Sequence, residues 1–116
     1  MNCIVIGDMG KGTADQLKVA RSMKKLYKKN NIKFVLGVGD NIYPDGCISV
    51  KDPLFYNNFE KMYSILPDDR WYMCLGNHDY GYHQTVQGLN NNSRHQVAYT
   101  KHSKKWRYYK NNYLEK

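Results

Sequence analysis

Cysteine, acidic residues and long apolar runs are all scarce in this sequence. It has three cysteines in 116 residues, none in a Cys-x-x-Cys pair, and Cys3 and Cys74 lie in apolar runs, so we expect reduced thiols in the core. The longest apolar runs, such as residues 3–6, fall far short of the roughly 20 residues that a membrane-spanning helix needs. No leader with a basic and an apolar region precedes the first strand-like run. These absences exclude a membrane span and predict an intracellular protein.

The scarcity of acidic residues makes the chain strongly basic. It has 10 Asp and Glu against 18 Lys and Arg, and the net charge of +8 favours anionic ligands such as phosphate esters, nucleotides or nucleic acid. Charge alone does not choose among these ligands. The hydrophobic fraction of 41% is enough for a folded core, and the length of 116 residues predicts one domain over residues 1–116.

Three short apolar runs, each followed by a glycine, predict the strands of an α/β sheet. They cover residues 3–6, 34–38 and 71–75, and their continuous apolar character predicts strands that are buried on both faces. Residues 96–109 fit either one helix or an irregular basic segment.

Two amphipathic segments separate the three runs. The first begins at Thr13 or Asp15 and ends at residues 30–31, and the second begins at Asp52-Pro53. The alternation of strands and helices predicts a βαβαβ unit, which is a mainly parallel sheet with flanking helices. The predicted apolar stripes are Val19, Ala20, Met23, Leu26 and Tyr27 in the first helix, and Phe55, Phe59, Met62, Tyr63 and Leu66 in the second.

All three predicted strands end in a glycine followed by polar side chains. Asp8 follows Gly7, Asp40 follows Gly39, and Asn77-His78-Asp79 follows the third glycine. One Gly-Asp pair is usually only a turn, but the carboxyl ends of parallel strands meet at one edge of a sheet, where ligands bind. Carboxylate and amide oxygens are ligands for hard cations. The glycine patterns fit neither a phosphate-binding P-loop nor a dinucleotide fingerprint, so the sequence predicts one polar site that can hold metal.

The motifs resemble those of the calcineurin-like metallophosphoesterases. These are Gly-Asp-Met-Gly at 7–10, Gly-Asp-Asn-Ile-Tyr at 39–43 and Gly-Asn-His-Asp at 76–79. Within that superfamily the chain is most similar to the purple acid phosphatases of the small tartrate-resistant type. Gly10 stands where most of the superfamily has a metal-binding histidine, and Tyr43 follows three residues after Asp40. The similarity continues to residues 96–99 and 103–106, and it implies the first half of the metallophosphoesterase α/β sandwich.

The resemblance implies a dinuclear metal centre. Asp8 and Tyr43 would bind an iron(III), and Asp40 would bridge this ion to a second metal. Asn77 would bind the second metal, which is iron(II), zinc or manganese. A bridging carboxylate suits two cations about 3.5 to 4 Å apart, which a phosphate group can span.

The same resemblance implies a metal-dependent phosphoric monoester hydrolase. The metals would activate a water for attack on the phosphate ester substrate. Asn77 and His78 would contact this substrate, with His78 at the phosphate or the leaving group. Asp79 would act in catalysis by orienting His78 through a hydrogen bond.

The resemblance extends over the N-terminal half of the family fold only. The family takes its histidine ligands from the second half, and the remaining histidines here, His83, His95 and His102, follow no strand-like run. We therefore expect a truncated or split family member, with a second chain completing the sandwich. A catalytically inactive remnant, or a module that binds phosphate or a partner, is the first alternative.

A basic nucleic-acid-binding domain is the second alternative. Basic residues alternate with aromatic residues near the end of the chain, as is typical of single-strand binding. Because residues 103–106 also match the phosphatase pattern, a solvated and partly packed segment is the preferred interpretation, and nucleic acid is not the expected partner. The residues concerned are Lys101, Lys104, Lys105, Trp106, Arg107, Tyr108, Tyr109 and Lys110.

Overall fold

The computed structural model describes residues 1–81 and 92–108. Its four strands are β1 (Asn2–Ile6), β2 (Ile32–Gly37), β3 (Trp71–Met73) and β4 (Trp106–Arg107). They form one sheet in the order β1-β2-β3-β4, and every pair is parallel. The helices are α1 (Ala14–Lys29), α2 (Pro53–Phe55) and α3 (Ser93–Ala98). A π-helix at Tyr56–Glu60 continues α2, and 3-10 turns occupy Asn77–Tyr80 and Tyr99–His102.

The parallel α/β architecture confirms the predicted fold class, and β4 is an addition to it. The sequence pattern predicted a helix or an irregular segment over residues 96–109, whereas α3, a 3-10 turn and a strand share this region. A two-residue strand has no periodicity to detect, and pairing of Trp106 with Trp71 defines it. None of the helices in the described residues is long and apolar enough to cross a membrane.

Among the described residues only one face of the sheet is fully buried, which corrects the prediction of strands buried on both faces. Register places Ile4, Val35, Trp71 and Trp106 on one face, and the last three of these are fully buried. The opposite face begins with Cys3 and Val5 of β1, and Val5 is 61% exposed. Cys3 is exposed as well, so the expectation that it lies in the core is wrong. Apolar runs predicted the strands, but only packing decides which faces are covered.

Helix α1 begins and ends where predicted, but its buried face is narrower than the predicted apolar stripe. The Thr13 hydroxyl accepts from the Gln16 amide at 3.3 Å, and the Asn30 N–H donates to the Leu26 carbonyl at 2.8 Å. Of the predicted stripe, Ala20 and Met23 are buried, whereas Val19 is 46% exposed and Leu26 is 44% exposed. A polar residue, Gln16, takes a place in the buried face because its side-chain Nε2 donates to the Asn58 carbonyl of the π-helix and to the Tyr63 hydroxyl.

The second predicted helix is shorter and less regular than its pattern indicated. Asp52 caps it, with Oδ1 accepting from the Leu54 N–H at 2.9 Å, and Pro53 opens the first turn as predicted. A π-turn then follows, in which the Lys61 N–H donates to the Tyr56 carbonyl at 2.8 Å. The predicted apolar stripe is nevertheless buried or half-buried throughout, at Phe55, Phe59, Met62, Tyr63 and Leu66.

Aromatic rings fill the space between this segment and the sheet. The Phe59 ring meets Trp71 at 5.0 Å and Trp106 at 4.9 Å between centroids, both edge-on. The Phe55 ring stacks on Tyr99 at 3.7 Å. Rings in these arrangements attract one another beyond the area they bury, by about 0.5–1.5 kcal/mol a pair. The aromatic cluster fixes the helical segment, and with it the loop between β2 and α2.

The described part of the basic segment is packed into the fold. The Lys105 side chain is buried, and its Nζ lies 2.9 Å from an Asp68 carboxylate oxygen. The Arg107 guanidinium donates to the carbonyls of Thr100 and Ser103, and Trp106 is fully buried. These contacts favour the packed interpretation of the segment. Tyr109 and Lys110 lie outside the described residues.

Candidate functional site

The loops after β1, β2 and β3 lie against one another at the carboxyl edge of the sheet. The Asp8 N–H donates to the Gly39 carbonyl at 3.1 Å, which joins the first loop to the second. The His78 N–H donates to Asp40 Oδ1 at 3.0 Å, which joins the second to the third. This convergence of strand ends is what the sequence predicted.

The contact between the second and third loops is too close for a side chain. A Cβ on Gly76 would lie 2.2 Å from Asp40 Oδ1 and 2.4 Å from the Asp40 backbone nitrogen. Glycine at position 76 therefore lets the Asp40 carboxylate sit directly against the backbone that leads into Asn77 and His78.

The Tyr43 hydroxyl lies between two carboxylates. Its Oη donates to Asp8 Oδ1 at 3.0 Å and to Asp40 Oδ2 at 3.3 Å. Burial raises the pKa of Tyr43, and the hydrogen bond to Asp8 and the negative charges of Asp40 and Asp8 raise it further. The proton of this hydroxyl therefore occupies a point surrounded by three oxygen atoms.

This donor set fits a hard cation. Loss of the phenolic proton would leave three anionic oxygens facing one point, which only a positive ion can stabilise. Iron(III) in particular accepts carboxylate and phenolate oxygen. Within residues 1–81 and 92–108 no group of three or more His, Cys, Asp or Glu side chains is arranged for metal binding. The set formed by Asp8, Asp40 and Tyr43 contains only two residues of those four types, and its third donor is a phenol oxygen.

The backbone of both aspartates is held in an unfavourable conformation. Asp8 and Asp40 each have φ of 53°, in the left-handed region that non-glycine residues rarely adopt. Strain of this kind persists where surrounding contacts over-determine it, and it clusters at functional sites. The hydrogen bonds from the Asp8 amide and to Asp40 Oδ1 are such contacts. The fold thus directs both carboxylates toward Tyr43.

Gly10 explains how Tyr43 reaches the two aspartates. A Cβ at position 10 would lie 1.7 Å from the Asn41 carbonyl oxygen, so no side chain, histidine included, fits there without moving the loop. The Gly10 carbonyl accepts from the Tyr43 N–H and from Asn58 Nδ2, both at 2.9 Å. The glycine at 10 and the tyrosine at 43 are therefore physically linked.

Asn77 and His78 follow β3 in a 3-10 turn at the same edge. The Asn77 side chain is exposed, and the His78 side chain is half-buried with its ring 4.4 Å from the Tyr43 ring. Nδ1 of His78 lies 2.7 Å from the Pro44 carbonyl oxygen. Because a carbonyl only accepts, Nδ1 carries the proton in this contact, which fixes the tautomer of the neutral ring.

Asp79 is fully buried and accepts hydrogen bonds from the second loop, the third loop and α3. Its carboxylate accepts from the backbone N–H groups of Asn41, Ile42 and Gly76 and from Gln96 Nε2. Burial raises the pKa of Asp79, and these hydrogen bonds oppose the rise. These contacts connect Asp79 to the loops around Asp40 and Gly76, and its hydrogen bond to the imidazole of His78 stays a prediction.

Sequence reasoning gave no role to three residues beside the site. Asn41 Nδ2 donates to the Cys74 carbonyl at 2.8 Å, and Gln96 is bonded to both Asn41 and Asp79. Lys11 Nζ lies 5.0 Å from the centre of the Tyr43 ring, beside a cleft of ≈ 350 Å³ that also borders Asp8. Asn41 and Gln96 both lie within the segments of family resemblance, which was the available signal.

The spare histidines have other surroundings in the described structure. His95 has its pKa lowered by burial and by Arg94, and His102 faces the ring of Tyr99 at 6.4 Å. Neither has a described contact with Asp8, Asp40 or Tyr43. His83 lies outside the described residues.

Comparison with known proteins agrees with the motifs. The family model described as calcineurin-like phosphoesterase matches residues 1–115. Purple acid phosphatase 3 of Arabidopsis thaliana is 43% identical over 79 residues, which cover 66% of this chain and 22% of that protein. Tartrate-resistant acid phosphatase type 5 of Oryctolagus cuniculus is 33% identical over 113 residues, which cover 90% of this chain and 32% of that protein. The chain thus spans about a fifth to a third of the length of these curated relatives.

A solved structure also shares the fold. It is described as "GAP50 the anchor in the inner membrane complex of Plasmodium" and superposes with a TM-score of 0.68 at 25% sequence identity. The superposition covers 83% of this chain and 28% of that one.

Proposed function

Because the chain belongs to the calcineurin-like phosphoesterase family, we propose that it carries the metal- and phosphate-binding loops of a purple-acid-phosphatase-like phosphoric monoester hydrolase. The observation that supports this most directly is the Tyr43 hydroxyl, 3.0 Å and 3.3 Å from the carboxylates of Asp8 and Asp40. A neutral tyrosine needs only one acceptor. Two carboxylates around one phenol suit a site in which a cation replaces the proton.

We assign Asp8 and Tyr43 to an iron(III), Asp40 to a bridging position, and Asn77 to a second metal, which is iron(II), zinc or manganese. When bound, such a pair of ions lowers the pKa of water and neutralises charge on a phosphoryl group. Asp40 accepts from the Tyr43 hydroxyl, which also contacts Asp8, and from the His78 N–H of the third loop, and these two contacts support its assignment as the bridge. The assignments of Asn77 rest on its position beside Asp40 and on the family motif.

His78 is assigned to the phosphate or to the leaving group. The Pro44 carbonyl holds Nδ1, so the ring has a fixed orientation beside Tyr43. A second proton on this ring gives a cation that can bind an anionic phosphate oxygen or protonate a departing alkoxide. Asp79 supports the same step indirectly, because it fixes the loop from which His78 projects.

We also propose a partner, a second polypeptide that completes the sandwich and supplies histidine ligands. Support comes from the exposed sheet face, where Val5 is 61% exposed, and from the greater length of the relatives. Imidazole is a preferred ligand of iron and zinc, whereas the donors assigned here are all oxygen. The chain alone is therefore expected to bind metal more weakly than the assembled form.

Iron(III) titration of the purified chain tests the assignment. Phenolate bound to iron(III) absorbs visible light, so the wild type should develop a visible band that saturates with added iron. Tyr43→Phe should abolish the band, and Tyr56→Phe, which alters an exposed tyrosine of the π-helix, should keep it. Asp40→Asn should abolish both the band and the hydrolysis of a phenyl phosphate. A wild type without the band, or a Tyr43→Phe variant that keeps it, would contradict the proposal.

A binding module without turnover is the second candidate. The structural relative is described as an anchor, and this chain exposes an apolar sheet face on which a protein can dock. Binding of phosphate to the metal-loaded chain without hydrolysis of the ester, with or without a partner, would favour this candidate. Nucleic-acid binding is not favoured, since Lys105 and Trp106 are buried.

A further inference from the structure

Gln96 is a buried polar residue that joins the second and third loops of the candidate site, which follow β2 and β3. It lies in α3, is fully buried, and forms hydrogen bonds with both ends of its side-chain amide. Nε2 donates to Asp79 Oδ1 at 2.7 Å, and Oε1 accepts from Asn41 Nδ2 at 3.2 Å. Its backbone carbonyl accepts from Trp106 Nε1 at 2.9 Å. The residue is thus held by the core and faces the site.

The chemistry of the two partners permits only one orientation of this amide. Asp79 offers acceptors only, and Asn41 Nδ2 offers donors only. A flipped amide would set oxygen against the carboxylate and N–H₂ against N–H₂. The side chain at position 96 therefore has to donate to the Asp79 carboxylate and accept from the Asn41 amide, which a side chain with only donors or only acceptors cannot do.

Asp79 passes this constraint to the proposed ligands. Besides Gln96, its carboxylate accepts from the N–H groups of Asn41 at 2.9 Å, Ile42 at 3.1 Å and Gly76 at 2.8 Å. Asn41 follows Asp40 directly, and Gly76 precedes Asn77. One carboxylate therefore sets the separation between the two loops that would share the second metal, and Gln96 is its side-chain donor.

We propose that Gln96 is a positioning residue for the metal site, acting through Asp79 and Asn41 to hold the loop of Asp40 against the loop of Asn77. The metal part of this inference rests on the proposed function. Removal of a residue that supports metal ligands through hydrogen bonds typically lowers metal affinity by about 10–100-fold. The effect on the two loops themselves does not require a metal.

Gln96→Met tests the proposal, and Gln16→Met is its matched control. Gln16 is another buried glutamine with three side-chain hydrogen bonds, to Gly12, Asn58 and Tyr63, and none of these reaches Asp79. Both variants lose a buried amide of the same size, so a general loss of stability should affect them alike. Gln96→Glu serves as a second variant, since it keeps the volume but places a carboxyl group against Asp79.

Backbone amide NMR and hydrogen exchange of the metal-free chain give the first measurement. In Gln96→Met, or in Gln96→Glu if the first variant does not fold, the amides of Asn41, Ile42 and Gly76 should shift and exchange at least about tenfold faster. The same amides should stay as in the wild type in Gln16→Met. Unchanged amides in the Gln96 variants, or equal changes in the control, would overturn the proposal.

Iron(III) and zinc titration of the same proteins gives the second measurement. Affinity should fall about 10–100-fold in Gln96→Met and by less than about threefold in Gln16→Met. A wild type that binds neither metal would refute the proposed function, while the amide measurement still decides the role of Gln96. Equal metal affinity in wild type and Gln96→Met would overturn the positioning of the metal site by Gln96.

Discussion

Replacement of Gly10 by alanine should be the most damaging single-methyl change near the site. The added Cβ would lie 1.7 Å from the Asn41 carbonyl oxygen and 2.6 Å from its carbon. Because non-bonded carbon and oxygen settle at about 3.3 Å, the Asn41–Tyr43 loop must retreat by about 1.6 Å. The obstructing atoms are backbone, so no rotation of a side chain relieves the contact.

The expected loss of stability follows from the contacts that this retreat disturbs. Overpacking of this kind costs about 1–3 kcal/mol. The Gly10 carbonyl also accepts two hydrogen bonds, from the Tyr43 N–H and Asn58 Nδ2, which contribute about 0.5–1.5 kcal/mol each. Together the change should lower the free energy of unfolding by about 2–6 kcal/mol. At about 4 °C per kcal/mol for a chain of this size, Tm should fall by at least about 8 °C.

Thermal and urea unfolding followed by circular dichroism measure the loss, with Gly7→Ala as the matched control. A Cβ on Gly7 would lie 2.8 Å from Val38 Cγ2, which belongs to an exposed side chain, and at an ordinary contact distance of 3.7 Å from the Gly39 carbonyl oxygen. Its cost should stay below about 1 kcal/mol. A Gly10→Ala variant no less stable than Gly7→Ala would refute the close packing of position 10 on the second loop.

Three further measurements test the packing away from the site. Val35→Thr should lower the free energy of unfolding by about 1–3 kcal/mol, whereas Val5→Thr should change it by less than about 0.5 kcal/mol, because of these two residues only Val35 is buried. Equal losses in urea unfolding would contradict a sheet that is covered on one face. Lys105 lowers the pKa of Asp68, so this ion pair stabilises the fold fully above the ordinary carboxyl pKa, and the stabilisation is lost as pH falls through the lowered value. Asp68→Asn should therefore make the free energy of unfolding less dependent on pH at acid pH. An unchanged pH profile would contradict the ion pair. Cys3 should react first among the cysteines with a thiol reagent under native conditions, and slower labelling than either other cysteine would contradict its exposure.

Much of the fold could be predicted because local chemistry and tertiary packing agree. Thr13, Asn30 and Asp52-Pro53 mark helix ends by the side chains and backbone they offer, and the structure uses them so. The apolar runs likewise predict the parallel strands. The pattern could not show which face of a strand is covered, since Cys3 and Val5 are apolar yet exposed. Nor could it detect β4, whose pairing with β3 depends on residues far apart in sequence.

The candidate site could be located from sequence, but its supporting contacts could not. Strand ends followed by Asp8, Asp40 and Asn77 predicted convergence from topology alone. The bonds of Asp79 to Gln96 and to the Asn41 amide link segments 17 and 38 residues apart, and no local spacing encodes them. The motif suggested only the sequence neighbour His78 as a partner for Asp79, whereas in the folded chain its carboxylate accepts from Gly76 of the same motif and from distant Asn41, Ile42 and Gln96.

The one-sided sheet also affects how copies of the chain behave in concentrated solution. Strand β1 pairs only with β2 within the described residues, so an unpaired strand edge borders the exposed apolar face. Such surfaces adhere to one another, and the net charge of +8 opposes their approach. Added salt shortens the range of that repulsion to about 8 Å at physiological ionic strength. Electrostatic repulsion therefore keeps copies of the isolated chain apart. As long as no other surface covers the sheet, added salt should promote their association.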